Sequence, residues 1–421
     1  MPRSGFFSRT FYALEIEQFR TLWFGTLFSF LGMQMQVIAR GYLAYDLTGK
    51  NSALGGVMLA FGVPQLLLSL WGGVVADRLP KKKVLLVAQA IIAANSAWLA
   101  TMIAIDLLEY WHLIVAGAVQ GAGFAFVGPA RQAFINDLVG RNAIGNAVVL
   151  QQLSMNSSRV VGPSVAGMLI AVPFIGIAGV YYLTTLGFVI AMASLVHLPP
   201  GNPSPREHAR SPIADLRDGV AYVRRTARIR ELILTSFAVV MIGFPYQSFL
   251  PSIAASVYGV GGFGLGLLSS AGAIGAVAAT VVVATYAGHP KAPLLQPLSA
   301  ILFGAALIGL GGTSVFVAGL IVMVAVGGLA SAFQALNNSL TMTYTEQDYH
   351  GRVQSISMLS WSLFGLAALP IGIVADHIGI RETLALQGIA CITLVVAIRA
   401  MGRRTATRPL PERSRAGADI R

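Results

Sequence analysis

The sequence predicts an all-α membrane protein whose twelve transmembrane helices form two pseudo-symmetric six-helix bundles. Of the 421 residues, 55% are apolar or aromatic and only 11% are charged, which is about half the charged fraction of a soluble domain. The mean hydropathy is +0.71. The apolar residues form twelve long runs, and a polar, proline-rich gap separates the first six runs from the last six. This composition excludes a soluble enzyme.

Each run, numbered span 1 to span 12 in chain order, is long enough to cross a bilayer as a helix, because about 20 apolar residues cover about 30 Å. The runs are continuous, whereas lipid-facing β-strands alternate polar and apolar residues. The runs before the gap are residues 21–44, 54–76, 84–105, 113–134, 144–172 and 175–196. The runs after the gap are residues 232–253, 265–286, 294–310, 315–337, 355–375 and 384–401.

The gap divides the chain into four regions. These are an N-terminal bundle (1–197), a cytoplasmic linker (198–230), a C-terminal bundle (231–402) and a basic cytoplasmic tail (403–421). Four prolines and a glycine at 198–205 end the preceding helix. Residues 211–230 carry apolar side chains at helical spacing beneath arginines, which predicts an amphipathic helix at the membrane surface.

The basic residues predict the orientation. All but four of the 29 Lys and Arg residues fall before span 1, at or beyond the end of span 12, or in the loops and span ends on that same side, and such residues are retained in the cytoplasm. Lys50 and Arg381 fall on the other side, and Arg40 and Arg159 lie within spans. We therefore expect a multi-pass protein of the inner membrane with both termini in the cytoplasm. Anionic lipid then explains the net charge of +12, and we expect no nucleic-acid partner.

A weak internal repeat supports two related bundles. Spans 5 and 11 carry Met, Ser and Gly at identical offsets, as expected if the second half repeats the first about an axis along the membrane normal. The matching residues are Met155, Ser157 and Gly162 in span 5 and Met358, Ser360 and Gly365 in span 11.

Motifs for catalysis are missing from the sequence. It has no P-loop and no His or Cys cluster with metal-ligand spacing, so we expect no catalytic residue, no cofactor and no metal. Cys391 is the single cysteine, which excludes an internal disulfide. The expected partners are the lipid bilayer and a small-molecule substrate, and we expect a monomer.

The most specific motif, G-V-V-A-D-R-L-P-K-K at residues 73–82, ends span 2. Gly73 lets a neighbouring helix approach, and Asp77 with Arg78 places opposite charges at the cytoplasmic face. The motif resembles the G-x-x-A-D-R-x-G-R-R pattern of the major facilitator superfamily, although Pro80 stands where that family usually has glycine.

The resemblance covers nearly the whole chain. Within the superfamily, the sequence is similar to the subgroup of enterobactin-type siderophore exporters and macrolide efflux proteins. It implies the major facilitator fold and a gate at this loop. In that family the Asp docks on the N-terminus of span 11 and a basic residue reaches an acid at the foot of span 4, which here implies roles for Asp77, Lys81 and Asp137. An Asp at a helix N-terminus meets unpaired amides and a positive dipole end. Such contacts would latch an outward-open state; the alternative is that the basic cluster only anchors the loop.

Span 5 carries Gly162, Pro163 and Gly167, which are similar to the G-P-x-x-x-G signature of exporters in this superfamily. Proline bends a helix, and glycine leaves room beside the bend. Two interpretations remain open: a helix that seals one side of a cavity, or ordinary packing of small residues.

Polar residues within the spans are candidates for lining or bracing a substrate cavity, because a charge at bilayer depth is costly unless it faces protein or water. Gln36 and Arg40 share one face of span 1, and Gln152, Asn156 and Arg159 share one face of span 5. Guanidinium groups suit a carboxylate or phenolate on the substrate. The alternative for Arg159 is that it caps carbonyls of the bent helix.

The second half adds two candidates. Tyr246 lies in a predicted break of span 7 at residues 243–247, and Gln334 lies in span 10. The resemblance implies that spans 1, 4, 7 and 10 line the central cavity, which makes both residues candidate contacts.

These features predict a secondary active transporter that exports a small amphipathic organic molecule, drug-like or siderophore-like, by alternating access. Proton antiport is the default in the superfamily, so protons are a candidate coupling ion. All 17 acidic residues fall in loops or at span ends, however, which weakens proton coupling. The alternatives are an uptake transporter of the same fold and a membrane-embedded sensor that does not transport.

Overall fold

The protein, as a computed structural model, is described for residues 11–201, 212–286, 291–346 and 349–406. Each predicted span is helical there, and most helices extend beyond their apolar runs, whereas span 5 ends two residues before its run and span 6 begins one residue after the start of its run. The spans of the first half are Glu17–Thr48, Asn51–Arg78, Lys81–Ala104, Tyr110–Gly140, 141–170 and Gly176–Val196. The spans of the second half are Ala227–Val257, Gly262–Tyr286, Ala292–Gly312, Phe316–Tyr344, His350–Ile378 and Ile380–Ala406.

Within the described residues, ten helices are long and apolar enough to cross a membrane, and Leu363–Ile378 of span 11 is a shorter apolar stretch. Spans 4 and 5 form one helix apart from Gly140, whose φ of 66° and ψ of 172° turn the chain. Glycine adopts such a backbone without the steric cost of a Cβ.

The two halves pack in the same pattern. Span 2 packs on span 4 and span 3 on span 6, just as span 8 packs on span 10 and span 9 on span 12. Glycines allow the close approaches: Gly72 lies against Ala125 in the first half, and Gly275 lies against Val324 in the second. The outer faces are apolar, with Trp71 65% exposed. The predicted fold of two pseudo-symmetric six-helix bundles is confirmed.

The linker helix is shorter than predicted. It spans Pro212–Arg225 instead of 211–230, because Thr226 is extended (φ −97°, ψ 98°) and Ala227 begins span 7. Tyr222 stacks on Tyr349 at a ring separation of 4.0 Å. The linker helix therefore lies against the second bundle.

Because successive spans alternate in direction, their connections fall at two ends of the molecule. The end that holds the loop at 79–80 and the linker helix is here called the basic end. The end that holds the loops at 49–50, 105–109 and 379 is called the far end.

Candidate functional site

A cavity of about 440 Å³ lies between the two bundles. It is lined by spans 1, 2, 4 and 5 of the first bundle and spans 7, 8, 10 and 11 of the second. The lining combines apolar side chains with five glutamines, two serines, one tyrosine and two arginines. Among the described residues, no Asp, Glu, Lys or His lines it.

A buried polar network forms one wall of this cavity. Gln36 Nε2 donates to Ser96 Oγ (2.7 Å), and Gln120 Nε2 donates to Gln36 Oε1 (2.6 Å). Arg40 Nη2 in turn donates to Gln120 Oε1. Arg40 and Gln120 line the cavity, whereas Gln36 points into the bundle and is 1% exposed. Gln36 therefore braces the wall.

The other predicted cavity residues are placed as follows. Arg159, Tyr246 and Gln334 line the cavity. Gln152 is exposed and is not among the lining residues. The side chain of Asn156 lies outside the described residues. The structure thus brings Arg40, on span 1, and Arg159, on span 5, to the same cavity.

Span 7 is broken where the sequence predicts a break. A π-helical turn (Val239–Gly243) leads into a 3₁₀ segment (Phe244–Phe249). Tyr246 in that segment is 4% exposed, and its ring meets the ring of Phe303 edge to face, with the ring centroids 5.9 Å apart. Gln387 Nε2 donates to the Ile242 carbonyl oxygen at the break (2.8 Å), and irregular backbone of this kind is tolerated where it is covered by protein or lines a cavity.

The far half of the interface between the bundles is closed through small residues. A Cβ on Gly55 of span 2 would lie 2.5 Å from Leu369 Cα of span 11. Gly167 of span 5 lies backbone to backbone against Gly266 of span 8, and Ser270 Oγ donates to Ser164 Oγ at 2.8 Å.

The other two residues of the span 5 motif have different neighbours. Gly162 packs on Gln34 of span 1, within the first bundle. Pro163 lines the cavity. Within this motif, Gly162 therefore packs inside the first bundle, whereas Gly167 contacts the second bundle.

An aspartate at the far end caps a helix of the opposite bundle. Asp376, at the end of span 11, accepts hydrogen bonds from the backbone N–H groups of Asn51 (2.5 Å) and Ser52 (3.0 Å) at the start of span 2. A Cβ on Gly372 would lie 2.5 Å from the Asn51 carbonyl oxygen. The carboxylate therefore sits at the positive end of the span 2 dipole.

The basic end differs from the far end. Lys81 Nζ lies 3.2 Å from Asp137 Oδ2, so these two residues are brought together. Among the described residues, no hydrogen bond or ion pair joins Asp77 to the first turn of span 11. Arg78 is exposed, and a Cβ on Gly73 would have no atom within 4 Å.

The sequence-based predictions missed Asp376 and Gln120 as site residues. Asp376 carried a signal, since residues 372–376 (G-I-V-A-D) repeat residues 73–77 (G-V-V-A-D). Gln120 carried none, because its partner Arg40 is 80 positions away.

Comparison with known proteins gives concordant results. A family model described as a transmembrane secretion effector matches residues 8–414. The chain is 28% identical over 381 residues to a staphyloferrin A transporter of Staphylococcus aureus, covering 87% of this chain and 92% of the relative. It is 25% identical over 393 residues to macrolide efflux protein A of Streptococcus pyogenes, covering 90% and 95%. It is 26% identical over 296 residues to an enterobactin exporter of Shigella boydii, covering 68% and 67%.

Solved structures share the fold. A bacterial homologue of the lysosomal transporter Spinster superposes with a TM-score of 0.73 at 13% identity, covering 94% of this chain and 98% of the other. A nucleoside transporter superposes with a TM-score of 0.72 at 14% identity, covering 91% and 99%. The match to the family model over nearly the whole length, on a fold of two six-helix bundles around a cavity, means that the chain belongs to the transmembrane secretion effector family of major facilitator transporters.

Proposed function

We propose that the protein is a secondary active transporter of the inner membrane that exports a small amphipathic organic molecule by alternating access. The observation that carries this proposal is the cavity between the two bundles, closed at the far end by small residues. The relatives named as efflux protein and exporter support the direction. The distribution of Lys and Arg favours a basic end, with both termini, in the cytoplasm.

The far-end closure is suited to reversible opening. Spans 5 and 8 meet through Gly167, Gly266 and a pair of serine hydroxyls, with Ile170 packed on Gly262 beside them. Contacts between such small residues give the two helices a smooth surface along which they can separate, as rocking about a fixed site requires. Pro163 lies inside span 5 beside this contact, and a proline there removes a backbone hydrogen bond and favours a bend, which supports a sealing role for the span 5 motif.

The two G-x-V-A-D motifs would act as alternating latches. Asp376 holds the start of span 2 while the far end is closed. Asp77 would hold the start of span 11 once the basic end closes, because it is the equivalent residue at the opposite end of the same pair of packed spans. Each latch places a carboxylate against free helix N–H groups.

Proton antiport is the coupling we propose. The described lining of the cavity contains no acidic residue, so the proton-carrying group would lie outside it. Asp46, Asp77 and Asp106 at span ends are the candidates.

Comparing the small molecules retained by cells that lack and cells that overproduce the protein would identify the substrate. Everted membrane vesicles are expected to accumulate that molecule when energised, and vesicles with the native orientation are not. Accumulation in native-orientation vesicles would instead support uptake, and accumulation in neither would support a sensor. A protonophore is expected to abolish the accumulation, whereas persistence would exclude proton coupling.

A further inference from the structure

We propose that the cavity contains an anion-binding subsite in which Arg40, assisted by Arg159, binds a carboxylate of an amphipathic substrate. The inference rests on the proposed transport function, because it names the chemical class of the molecule that occupies the same cavity. Both guanidinium groups belong to the lining.

Arg40 is the central observation. It is 3% exposed, and Gln120 Oε1 accepts its described hydrogen bond. Its Nε has no partner within hydrogen-bond geometry, and its guanidinium lies beside the buried hydroxyl of Tyr181, which carries no negative charge. Among the described residues, no carboxylate pairs with Arg40. A buried charge without a counter-charge is costly, so its retention beside a cavity points to an anion that arrives with the substrate.

The charge of the whole cavity favours the same class of molecule. Arg159 adds a second guanidinium, and the 17 acidic residues of the sequence lie in loops or at span ends. The described lining therefore holds two guanidinium groups and no carboxylate. Because a concave site lined by one sign of charge focuses the electric field, it attracts an anion more strongly than a flat surface would.

The remaining lining indicates what the anion is attached to. Met58, Phe61, Phe244 and Phe364 present apolar and aromatic surface to the cavity. Gln247 and other glutamines offer neutral hydrogen-bond donors and acceptors. A bare inorganic anion would leave the apolar surface uncovered, whereas an aromatic or aliphatic carboxylate would cover it.

A matched series of probes tests the charge preference. Binding of 2-naphthoate, neutral 2-naphthamide and cationic 2-naphthylmethylammonium to the purified full-length protein in lipid nanodiscs is measured by naphthyl fluorescence. We expect 2-naphthoate to bind about tenfold more tightly than 2-naphthamide, as a charge-assisted hydrogen bond predicts, and the ammonium to bind most weakly. Equal binding of the three probes, tightest binding of the ammonium, or no binding of the carboxylate would overturn the proposal.

Variants assign the preference to residues. Arg40→Gln is expected to abolish the preference for the carboxylate, Arg40→Lys to retain part of it, and Arg159→Gln to reduce it. Arg131→Gln is the matched control, because Arg131 is 5% exposed in the same bundle, lies over the ring of Phe30 and is outside the cavity lining. If Arg40→Gln does not yield folded protein, the Arg159→Gln and Arg40→Lys results decide. A preference unchanged in the folded variants would overturn the assignment.

The outcome is separable from that of the proposed function. Export of a neutral molecule in the vesicle experiment, with no preference for 2-naphthoate, would overturn the anion subsite and leave the exporter intact. A clear preference for 2-naphthoate without transport in either vesicle orientation would support the anion subsite and overturn the proposed export.

Discussion

The same five-residue pattern, G-x-V-A-D, ends span 2 at the basic end and span 11 at the far end, but its two copies have different surroundings. Asp376 accepts two backbone hydrogen bonds from span 2, and Gly372 is packed against the Asn51 carbonyl. Asp77 has no such contact with span 11 among the described residues, and Gly73 faces open space. One copy is engaged and the other is not.

Spans 2 and 11 are antiparallel neighbours, so each copy lies at the same end as the first turn of the other span. Under the alternating access that we propose, the bundles separate at one end when they close at the other, and only one carboxylate at a time reaches a helix N-terminus. The conformation, more than the local sequence, would then decide what each copy does. The comparison therefore makes opposite predictions for equivalent substitutions.

The largest expected effect comes from fixing the far end shut. Ser164 Oγ and Ser270 Oγ are 2.8 Å apart, so Ser164→Cys with Ser270→Cys in a Cys391→Ala background should form a disulfide upon oxidation. We expect transport to fall to background and to return after reduction. Each single cysteine variant serves as the control. Full transport by the cross-linked protein would show that this contact does not need to open.

The next largest effect is expected in the rate of labelling at the far end, which should rise in the Asp376→Asn variant and fall in the Asp77→Asn variant. Asp376→Asn removes a charge that accepts two hydrogen bonds at an exposed site, which should weaken the far-end closure by about 1 kcal/mol, or about fivefold in population. Labelling of a Ser270→Cys reporter, also in the Cys391→Ala background, by an impermeant maleimide added outside cells should then become faster.

Asp77→Asn should make the same labelling slower, because it weakens the latch of the alternative state. Both variants should transport more slowly, since each makes one half of the cycle less favourable. A change of the labelling rate in the same direction for both variants would contradict the proposal of two alternating latches. Immunoblots of the membrane fraction control for loss of protein.

Two glycine substitutions sharpen the comparison further. A methyl group on Gly372 would lie 2.5 Å from the Asn51 carbonyl, so Gly372→Ala should loosen the far end, with faster labelling of the Ser270→Cys reporter and a Tm lower by several degrees, as overpacking by about 1–3 kcal/mol predicts. Gly73→Ala meets no atom within 4 Å in this conformation and should leave the Tm unchanged. An equal loss of Tm in both variants would mean that the two glycines are packed alike.

Much of the fold was predictable because the hydrocarbon core imposes about 20 apolar residues on each crossing. The twelve spans, the polar gap and the break near Tyr246 all follow from composition along the chain. The helical spacing of Gln36 and Arg40 also placed both on one face of span 1. It could not show that Gln36 turns to Ser96 while Arg40 reaches Gln120 and the cavity, because those partners come from other spans.

The contacts between the bundles were not predictable for a related reason. Gly162 and Gly365 occupy equal positions in the internal repeat, but Gly162 packs on span 1 of its own bundle and Gly365 packs on Met58 of the opposite bundle. Local sequence specifies that a close approach is possible. Which helix fills the space depends on how the two bundles are tilted, and under the proposed alternating access that tilt changes during transport.

The smallest effect on the labelling rate is expected from substitutions in the pair of Lys81 and Asp137. Both residues belong to the first bundle, and their 3.2 Å contact exists although Asp77 is not docked on span 11. Asp137→Asn should therefore leave the labelling rate of the Ser270→Cys reporter within about twofold. It should lower the free energy of unfolding by about 1–3 kcal/mol, since the side chain of Lys81 is 2% exposed and loses a carboxylate.

The double variant Lys81→Met with Asp137→Asn removes both charges and should recover part of the lost Tm, which separates the pair from the effect of either residue alone. A change in labelling as large as that of Asp77→Asn would contradict this assignment. The pair would then belong to the latch at the basic end instead of stabilising the foot of a single bundle. The basic end would in that case be held by more charged residues than the far end.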